Sequence, residues 1–438
     1  MRSGLHSILH FLHGHSILVL GFGREGRSTL AFLQYHLPEA NIGIADREVI
    51  PPETLPQQHH YQLFEGENYL NAVKDFELII KTPGIPTRLL NLKNHQLLTS
   101  QTDLFLAAFH HQTIGISGTK GKSTTSSLIF HLLKSTGYNC LLTGNIGIPC
   151  FDVIAQIKPD TQVVFELSAH QLENVRHSPH IAVLLNIFAE HLDHFGSFEA
   201  YREAKLNLIR FVHADDFVIL HRDLLGYAQS INGNLKLFPS NTLPQMFSLQ
   251  LVGHHNQWNA EAALMAVEAA GVPPKKLWQP LADFKGLPHR LEYLGKNAGV
   301  HFYNDSIATI PEACVAALTT LKKVDFLLLG GFDRGIRYEI LTDYLQQHPV
   351  PHLLLTGAVG HRIAKLLPQN NPLMQFHFYD EMENAFQVIK DQMKPDDICL
   401  LSPAASSYDK YKNFEHRGEV FKALVRALSS ETPEDQTT

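Results

Sequence analysis

Apolar residues fall in two patterns along the chain. Short, largely apolar runs, such as residues 16–20, 163–167 and 326–329, read as strands buried on both faces. Between them, apolar residues return every three or four positions, the period of a helix with one face in a core. Strand and helix alternate almost throughout, which predicts parallel sheets and an α/β fold. A first unit is predicted to hold strands at 16–20 and 41–45, with a helix from about residue 26, and to end near the turn-rich segment 81–86. A second begins near residue 100, with strands at 113–117, 163–167 and 182–186. A third begins near residue 287, with strands at 326–329, 352–355 and 398–401. The resulting domain boundaries are 1–99, 100–286 and 287–438. The Pro- and Asn-containing segment 231–248 reads as a loop or hairpin excursion, and the acidic tail 430–438 as disordered.

Two glycine-rich turns sit where a strand gives way to a helix. Gly118, Thr119, Lys120, Gly121, Lys122, Ser123 and Thr124 follow the strand 113–117 and precede a helix carrying Leu128, Ile129, Leu132 and Leu133. That order suits phosphate: loop N–H groups and the helix N-terminus face the anion, Lys122 adds a charge, and Ser123 can ligate Mg²⁺. A strict P-loop would also have glycine at position 116, where this chain has Ile116. The second turn, Gly21, Phe22, Gly23, Arg24, Glu25 and Gly26, follows the first strand, and Asp46 ends the second. Alone it fits an NAD-dependent dehydrogenase with a ribose-binding acid. The same glycines hold any nucleotide diphosphate, however, and a dehydrogenase has no use for the phosphate loop at 118–124. An enzyme joining ATP to a nucleotide-linked substrate uses both.

Composition narrows the class. At 438 residues the chain suits about three domains, and 44% hydrophobic content is enough for several cores. Net charge is −7 with no basic cluster, which argues against nucleic-acid binding. No apolar run reaches membrane-spanning length. Residues 5–12 faintly resemble a signal peptide, but histidines interrupt them and no small-residue cleavage site follows, so no targeting segment is expected. Four scattered cysteines give no disulfide or zinc framework. A soluble cytoplasmic enzyme is expected. The 27 histidines receive no collective role.

Further motifs follow in order: TGNIGIP at 143–149, FELSAHQLE at 165–173, AEHLDHFGSFEAYREAKLNL at 189–208, GHHNQWNAEAAL at 253–264, GLPHRLE at 286–292, YNDSIAT at 303–309, LLLGGFDRG at 327–335 and LSPAASSYDKYKNFEHRG at 401–418. With the phosphate loop, this series resembles the Mur ligase family, the ATP-dependent amide-bond ligases of peptidoglycan synthesis. The resemblance implies three domains: N-terminal Rossmann-like, central P-loop ATPase-like and C-terminal Rossmann-like. It implies ADP-forming ligation of glutamate, D-glutamate by default, to UDP-N-acetylmuramoyl-L-alanine, by a monomer without nucleic-acid or membrane partners. By motif, Lys122 and Ser123 would handle ATP phosphates and Mg²⁺, and Glu166 would ligate the metal. His191 and Lys205 would serve a second Mg²⁺, with Lys205 as its CO₂ adduct, because a carbamate gives lysine the anionic oxygen that Mg²⁺ prefers. Asn256, Asn259, Arg290 and Asp305 would contact the nucleotide. Gly21, Gly23, Arg24, Glu25, Gly26, Asp46 and Asn145 would hold the UDP-sugar, and Thr309, Arg334, Ser407 and Phe414 the glutamate.

Three positions depart from the D-glutamate-adding pattern. Ile307 replaces the lysine of NDSKAT, Arg334 replaces the lysine of the glycine turn after the strand 326–329, and Lys120 replaces asparagine in the phosphate loop. The first two lie in the region that receives the amino acid and resemble a branch of the family that adds L-glutamate.

Overall fold

The structure, a computed structural model, describes residues 2–55, 61–228, 231–240, 253–368 and 371–430. Three sheets follow one another along the chain. The first comprises β1 (Ile17–Leu20), β2 (Ile42–Asp46), β3 (Tyr61–Glu65), β4 (Leu78–Lys81) and β5 (Leu97–Thr99), all parallel, in the order 3-2-1-4-5. The second comprises β6 (Thr113–Ser117), β7 (Cys140–Gly144), β8 (Gln162–Glu166), β9 (Ile181–Leu184), β10 (Phe217–His221) and β11 (Asn234–Phe238), also parallel, in the order 11-10-9-6-8-7. The third comprises β12 (Glu292–Asn297), β13 (Val300–Asn304), β14 (Phe326–Gly330), β15 (His352–Thr356), β16 (Gln375–Phe378) and β17 (Ile398–Leu401), in the order 12-13-17-14-15-16.

The central strands are apolar at successive positions because helices cover both faces. Ile17, Leu18, Val19 and Leu20 of β1 are all fully buried, as are Leu327, Leu328 and Leu329 of β14. In an all-parallel sheet the C-terminal strand ends share one edge, and loops leaving that edge can converge on a ligand. In the first sheet the strand order reverses between β1 and β4, and the glycine turn 21–26 leaves β1 there. In the second, β9, β6 and β8 are neighbours, so residues 118–121, Glu166 to Ser168 and 185–194 leave adjacent ends.

By internal contacts the chain forms two compact units. One is made of the described residues within Met1–Leu249 and His254–Phe284, and the other chiefly of those from Lys285 on. The first unit contains two sheets joined by one continuous apolar core, running from Ile8 and Ile17 to Leu220 and Leu224. In the second unit, separate cores cover the two faces of the third sheet.

Two segments differ from expectation, and a third, residues 5–12, has no structural expectation attached to it. Residues 5–12 lie in a helix, Arg2–Leu12, that packs on the helix Gln101–Phe109 with Ile8 and Leu12 buried. Part of the expected 231–248 excursion is β11, paired in parallel with β10; residues 241–248 and the tail 431–438 lie outside the described residues. The third sheet also has an antiparallel edge, β12 against β13, joined by Ala298 and Gly299 at φ 48° and 85°. Two left-handed residues form the tight hairpin turn that matches strand twist. Alanine is not a residue that signals such a turn.

Candidate active site

The phosphate loop is assembled mainly by its neighbours. Lys122 opens the helix Lys122–Ser135, and its Nζ donates to the carbonyls of Gly118 and Thr119 at 2.9 and 3.1 Å. Asn186, after β9, clamps Lys120: its Oδ1 accepts from the Lys120 N–H at 2.9 Å, and its Nδ2 donates to the Lys120 carbonyl at 3.1 Å. Thr119 shares a 2.9 Å hydrogen bond with the Tyr201 hydroxyl. Asn259 donates to Asn256 Oδ1 at 3.0 Å and lies so close to Gly121 that a Cβ there would meet its Oδ1 at 2.6 Å. Lys120 points outward and pairs with Glu190 at 2.8 Å.

Behind the loop are two ionisable groups that burial alone does not explain. Lys205, on the helix Phe198–Arg210, is 1% exposed. Its Nζ donates to the Gly118 carbonyl at 2.8 Å and lies 5.0 Å from the Tyr201 ring centre. Burial, with Lys122 nearby, holds its amine well below the usual lysine range. Glu166, the last residue of β8, is 1% exposed; its Oε1 accepts from Asn145 at 2.9 Å, while among the described residues Oε2 has no hydrogen-bond partner. An orphaned buried carboxylate oxygen calls for a cation or donor, and a buried lysine whose amine is held below its usual range is a competent nucleophile toward CO₂. The donor set therefore fits Mg²⁺. His191 is half-exposed, with left-handed backbone at φ 56°, and its ring meets His170 edge-on with centres 4.6 Å apart. Among the described residues, Glu166 and His191 share no cluster of three His, Cys, Asp or Glu ligand atoms. A carbamate would supply the missing anionic ligand.

The glycine turn opens onto a cleft of about 570 Å³ lined by Gly21, Gly23, Arg24, Glu25 and Asp46 from the first sheet's loops, and by Gly144, Asn145, Ser168 and Gln171 from the second's. Gly21 has φ 93°, and a Cβ on Gly26 would lie 2.1 Å from the Gly21 carbonyl, so neither position admits a side chain without movement. Asp46 braces this turn: its carboxylate accepts from the backbone N–H of Phe22 at 2.5 Å and of Glu48 at 2.9 Å. Arg24 donates to the Gly147 carbonyl at 3.1 Å, and Glu25 accepts from Gln171 at 2.7 Å. Burial raises the Glu25 carboxyl above its ordinary range. The cleft thus places six of the seven residues selected for the UDP-sugar, all but Gly26, around one cavity; Gly26 is buried just behind it.

Several residues here escaped the sequence reading. Ser168 and Gln171 form a capping box for the helix Ala169–Leu172, a signature visible as S-x-x-Q. Buried Lys81 donates to Glu173 at 2.9 Å and to the Ile85 carbonyl at 2.7 Å, tying the first sheet's loops to the second's. Arg88 donates to the carbonyls of His194 and Asp193, next to His191. Lys81 and Arg88 have no comparable local signal, since Glu173, His194 and Asp193 lie about 90 or more residues away from them.

In the second unit the selected residues leave the C-terminal edge of the third sheet. Asp305, after β13, accepts from Ser402 Oγ at 2.8 Å and from the Leu291 N–H at 3.0 Å, and burial pushes its carboxyl up to about 7. Arg334 is exposed, with Nη2 on the Thr309 carbonyl at 2.9 Å. Arg290 is exposed, Phe414 half-buried and Ser407 buried. Arg417, overlooked in the sequence, is buried and donates to Ser306 Oγ at 3.0 Å and to the carbonyls of Ser306 and Ala405. It fixes the segment 305–306 against the loop after β17.

Residues 116–236 match the Mur ligase middle domain, and residues 289–405 match the Mur ligase glutamate ligase domain. A UDP-N-acetylmuramoylalanine–D-glutamate ligase from Geobacillus kaustophilus is 36% identical over 81% of this chain and 84% of its own length. A UDP-N-acetylmuramoyl-L-alanine–L-glutamate ligase from a Micromonospora species is 31% identical over 95% of this chain and 97% of its own length. A MurF ligase from Thermotoga maritima, solved with ADP, shares the fold at a TM-score of 0.55 and 17% identity, covering 94% of this chain and 95% of that one. Near-full-length identity at this level, together with both domain matches, establishes the assignment: the chain belongs to the Mur ligase family, ATP-dependent amide-bond ligases of multi-domain α/β fold.

Proposed function

We propose that this protein is the ligase that joins glutamate, D-glutamate by default, to UDP-N-acetylmuramoyl-L-alanine, forming ADP and phosphate through an acyl phosphate. The observation that carries this reading is buried Lys205 held at the phosphate loop, 2.8 Å from the Gly118 carbonyl, in the same unit as a second, glycine-lined cleft suited to a nucleotide diphosphate. A carboxylate is too poor an electrophile for direct attack by an amine. Its oxygen therefore attacks the γ-phosphorus of ATP, ADP leaves, the glutamate amine attacks the acyl carbon, and phosphate departs.

Each residue has a role in that sequence. The N–H groups at the start of the helix Lys122–Ser135 and Lys122 itself receive the phosphates, and Asn256 and Asn259, the latter close to Gly121, would contact the nucleotide. Ser123, Glu166, His191 and carbamylated Lys205 would hold Mg²⁺, two ions in this reading, with Asn145 orienting Glu166. Bound Mg²⁺ supplies charge neutralisation between the attacking carboxylate and the polyphosphate. The turn at 21–26, with Asp46 and Asn145, receives the UDP-sugar; Arg290 and Asp305 serve the nucleotide; Thr309, Arg334, Ser407 and Phe414 receive the glutamate. The enzyme acts as a cytoplasmic monomer, where ATP and UDP-sugars are supplied; no described helix is long and apolar enough to cross a membrane.

A second reading keeps the chemistry and changes the amino acid to L-glutamate. It is favoured by Ile307 and Arg334, which stand where the D-glutamate pattern has lysines. Arginine pairs with a carboxylate in a fork that lysine cannot reproduce, and isoleucine removes a charge outright. The test is ADP release from ATP and UDP-N-acetylmuramoyl-L-alanine with each enantiomer. Turnover with D-glutamate is expected; turnover with L-glutamate alone selects the second reading, and turnover with neither overturns both.

A further inference from the structure

The proposed reaction uses one of 27 histidines, and several others gather on the opposite side of the second sheet from the phosphate loop. His110 lies just before β6, His180 immediately precedes β9, and Asp216 immediately precedes β10, three neighbouring strands. The five residues of β6 separate this patch from the phosphate loop by about 16 Å at ~3.3 Å per residue.

Two imidazole nitrogens converge there on one carboxylate oxygen. His110 Nε2 and His180 Nδ1 each lie 2.8 Å from Asp216 Oδ1. Asp216 is fully buried, and its Oδ2 accepts from the His213 backbone N–H at 2.6 Å. His110 Nδ1 lies 2.7 Å from the Ser178 carbonyl, which can only accept, so Nδ1 carries a proton and Nε2 faces the carboxylate. A backbone carbonyl on the far nitrogen is the arrangement that orients metal-ligating histidines. The His111 and His213 rings flank that of His110 at 4.8 and 4.9 Å between centres, and both residues are exposed, which leaves a route from solvent. Among the described residues, every group of three His, Cys, Asp or Glu ligand atoms within 4.8 Å of one another falls in this patch: His110, His111 and His180; His110, His213 and Asp216; His180, Asp215 and Asp216.

We propose that this patch binds one divalent transition-metal ion of the zinc type, with His110, His180 and Asp216 as ligands and His213 or His111 completing the set. Imidazole with carboxylate suits Zn²⁺ and its neighbours, whereas Mg²⁺ takes oxygen, so the site is chemically distinct from that of the proposed reaction. Tetrahedral zinc places ligand atoms about 3.3 Å apart, so each of the two nitrogen–oxygen pairs now at 2.8 Å needs to open by only about half an ångström. The ion ties the N-terminal ends of β6, β9 and β10 together, and so stabilises the first unit without touching substrate.

The test is titration of tag-free, metal-stripped full-length protein with Zn²⁺, and with Co²⁺ for its d–d spectrum, in saturating Mg²⁺. One equivalent of Zn²⁺ is expected to bind and raise the thermal midpoint, with a Co²⁺ spectrum of nitrogen and oxygen ligation. H110Q and H180Q should each weaken binding by about tenfold or more while ligase activity persists, and E166Q should leave Zn²⁺ affinity unchanged. H213A, which alters only an exposed ring, should weaken binding or alter the Co²⁺ spectrum even if a buried variant misfolds. Absence of stoichiometric binding overturns the proposal. So does binding indifferent to H110Q, H180Q and H213A, which would mean scattered surface histidines, or binding lost in E166Q.

Discussion

The glycine turn at 21–26 gives two substitutions with opposite signatures. At Gly26 an alanine Cβ would lie 2.1 Å from the Gly21 carbonyl, where real Cβ contacts stay beyond 3.0 Å, so helix Arg24–His36 and the end of β1 must part by about 0.9 Å. That helix buries Leu30, Phe32 and Leu33 in the core, and such overpacking costs about 1–3 kcal/mol. At Gly23 a Cβ meets nothing within 4 Å, and φ is −71°, which alanine accepts. The fold should tolerate G23A, with stability unchanged or raised by about 0.4–1 kcal/mol. Yet Gly23 lines the cleft, and its methyl would stand where a pyrophosphate must approach the loop backbone. Losing one charge-assisted hydrogen bond, about 1.5–3 kcal/mol, corresponds to roughly a 10- to 150-fold rise in KM for the UDP-linked substrate. Steady-state kinetics at saturating ATP and glutamate, paired with calorimetry, separates the two. G23A should raise that KM with an intact thermal midpoint, and G26A should lower the midpoint as well. An unchanged KM in G23A would refute the assignment of this turn to the nucleotide diphosphate.

Two other substitutions test the remaining chemistry. Lys205→Met should reduce turnover by about 10²–10³-fold or more, without rescue by bicarbonate. The thermal midpoint should hold or rise, because an apolar chain replaces a buried amine with a single hydrogen bond among the described residues; robust turnover would remove the carbamate from the mechanism. Asp305 titrates at about 7 in the fold against 3.8 as the ordinary value, so the native state binds the extra proton between them. Its contribution is therefore full below about pH 4, is lost as pH rises toward 7 at up to about 1.4 kcal/mol per pH unit, and is level above that. Hydrogen exchange of the strand Val300–Asn304 between pH 5 and 8 should show that slope in the parent and not in D305N; equal slopes would assign it to another group.

What the sequence reveals depends on how local the physics is. The phosphate loop and the turn at 21–26 are each fixed by a few consecutive residues, because glycines, a helix start and a lysine must be adjacent to receive an anion. Both are legible, as are strands such as β1 and β14, whose burial on both faces demands unbroken apolar runs. Edges are harder. β11 has exposed Asn234 and Leu235 and thus no continuous apolar run, and β12 alternates irregularly around a bulge near Gly295, so neither pattern announces a strand. The supports of the site are the least legible. Asn186 clamps a loop some 66 residues earlier, Lys81 reaches Glu173 92 residues away, and Arg417 braces Ser306 111 residues earlier. Such partners become neighbours only when parallel strands bring their C-terminal ends to one edge. The same topology gathers residues 110, 180 and 216 at the opposite edge, where no motif marks them, although His110-His111 and Asp215-Asp216 are each visible as pairs. A histidine-rich composition suggested nothing by itself; it acquires chemical meaning once the order β9, β6, β8 and β10 beside β9 is known.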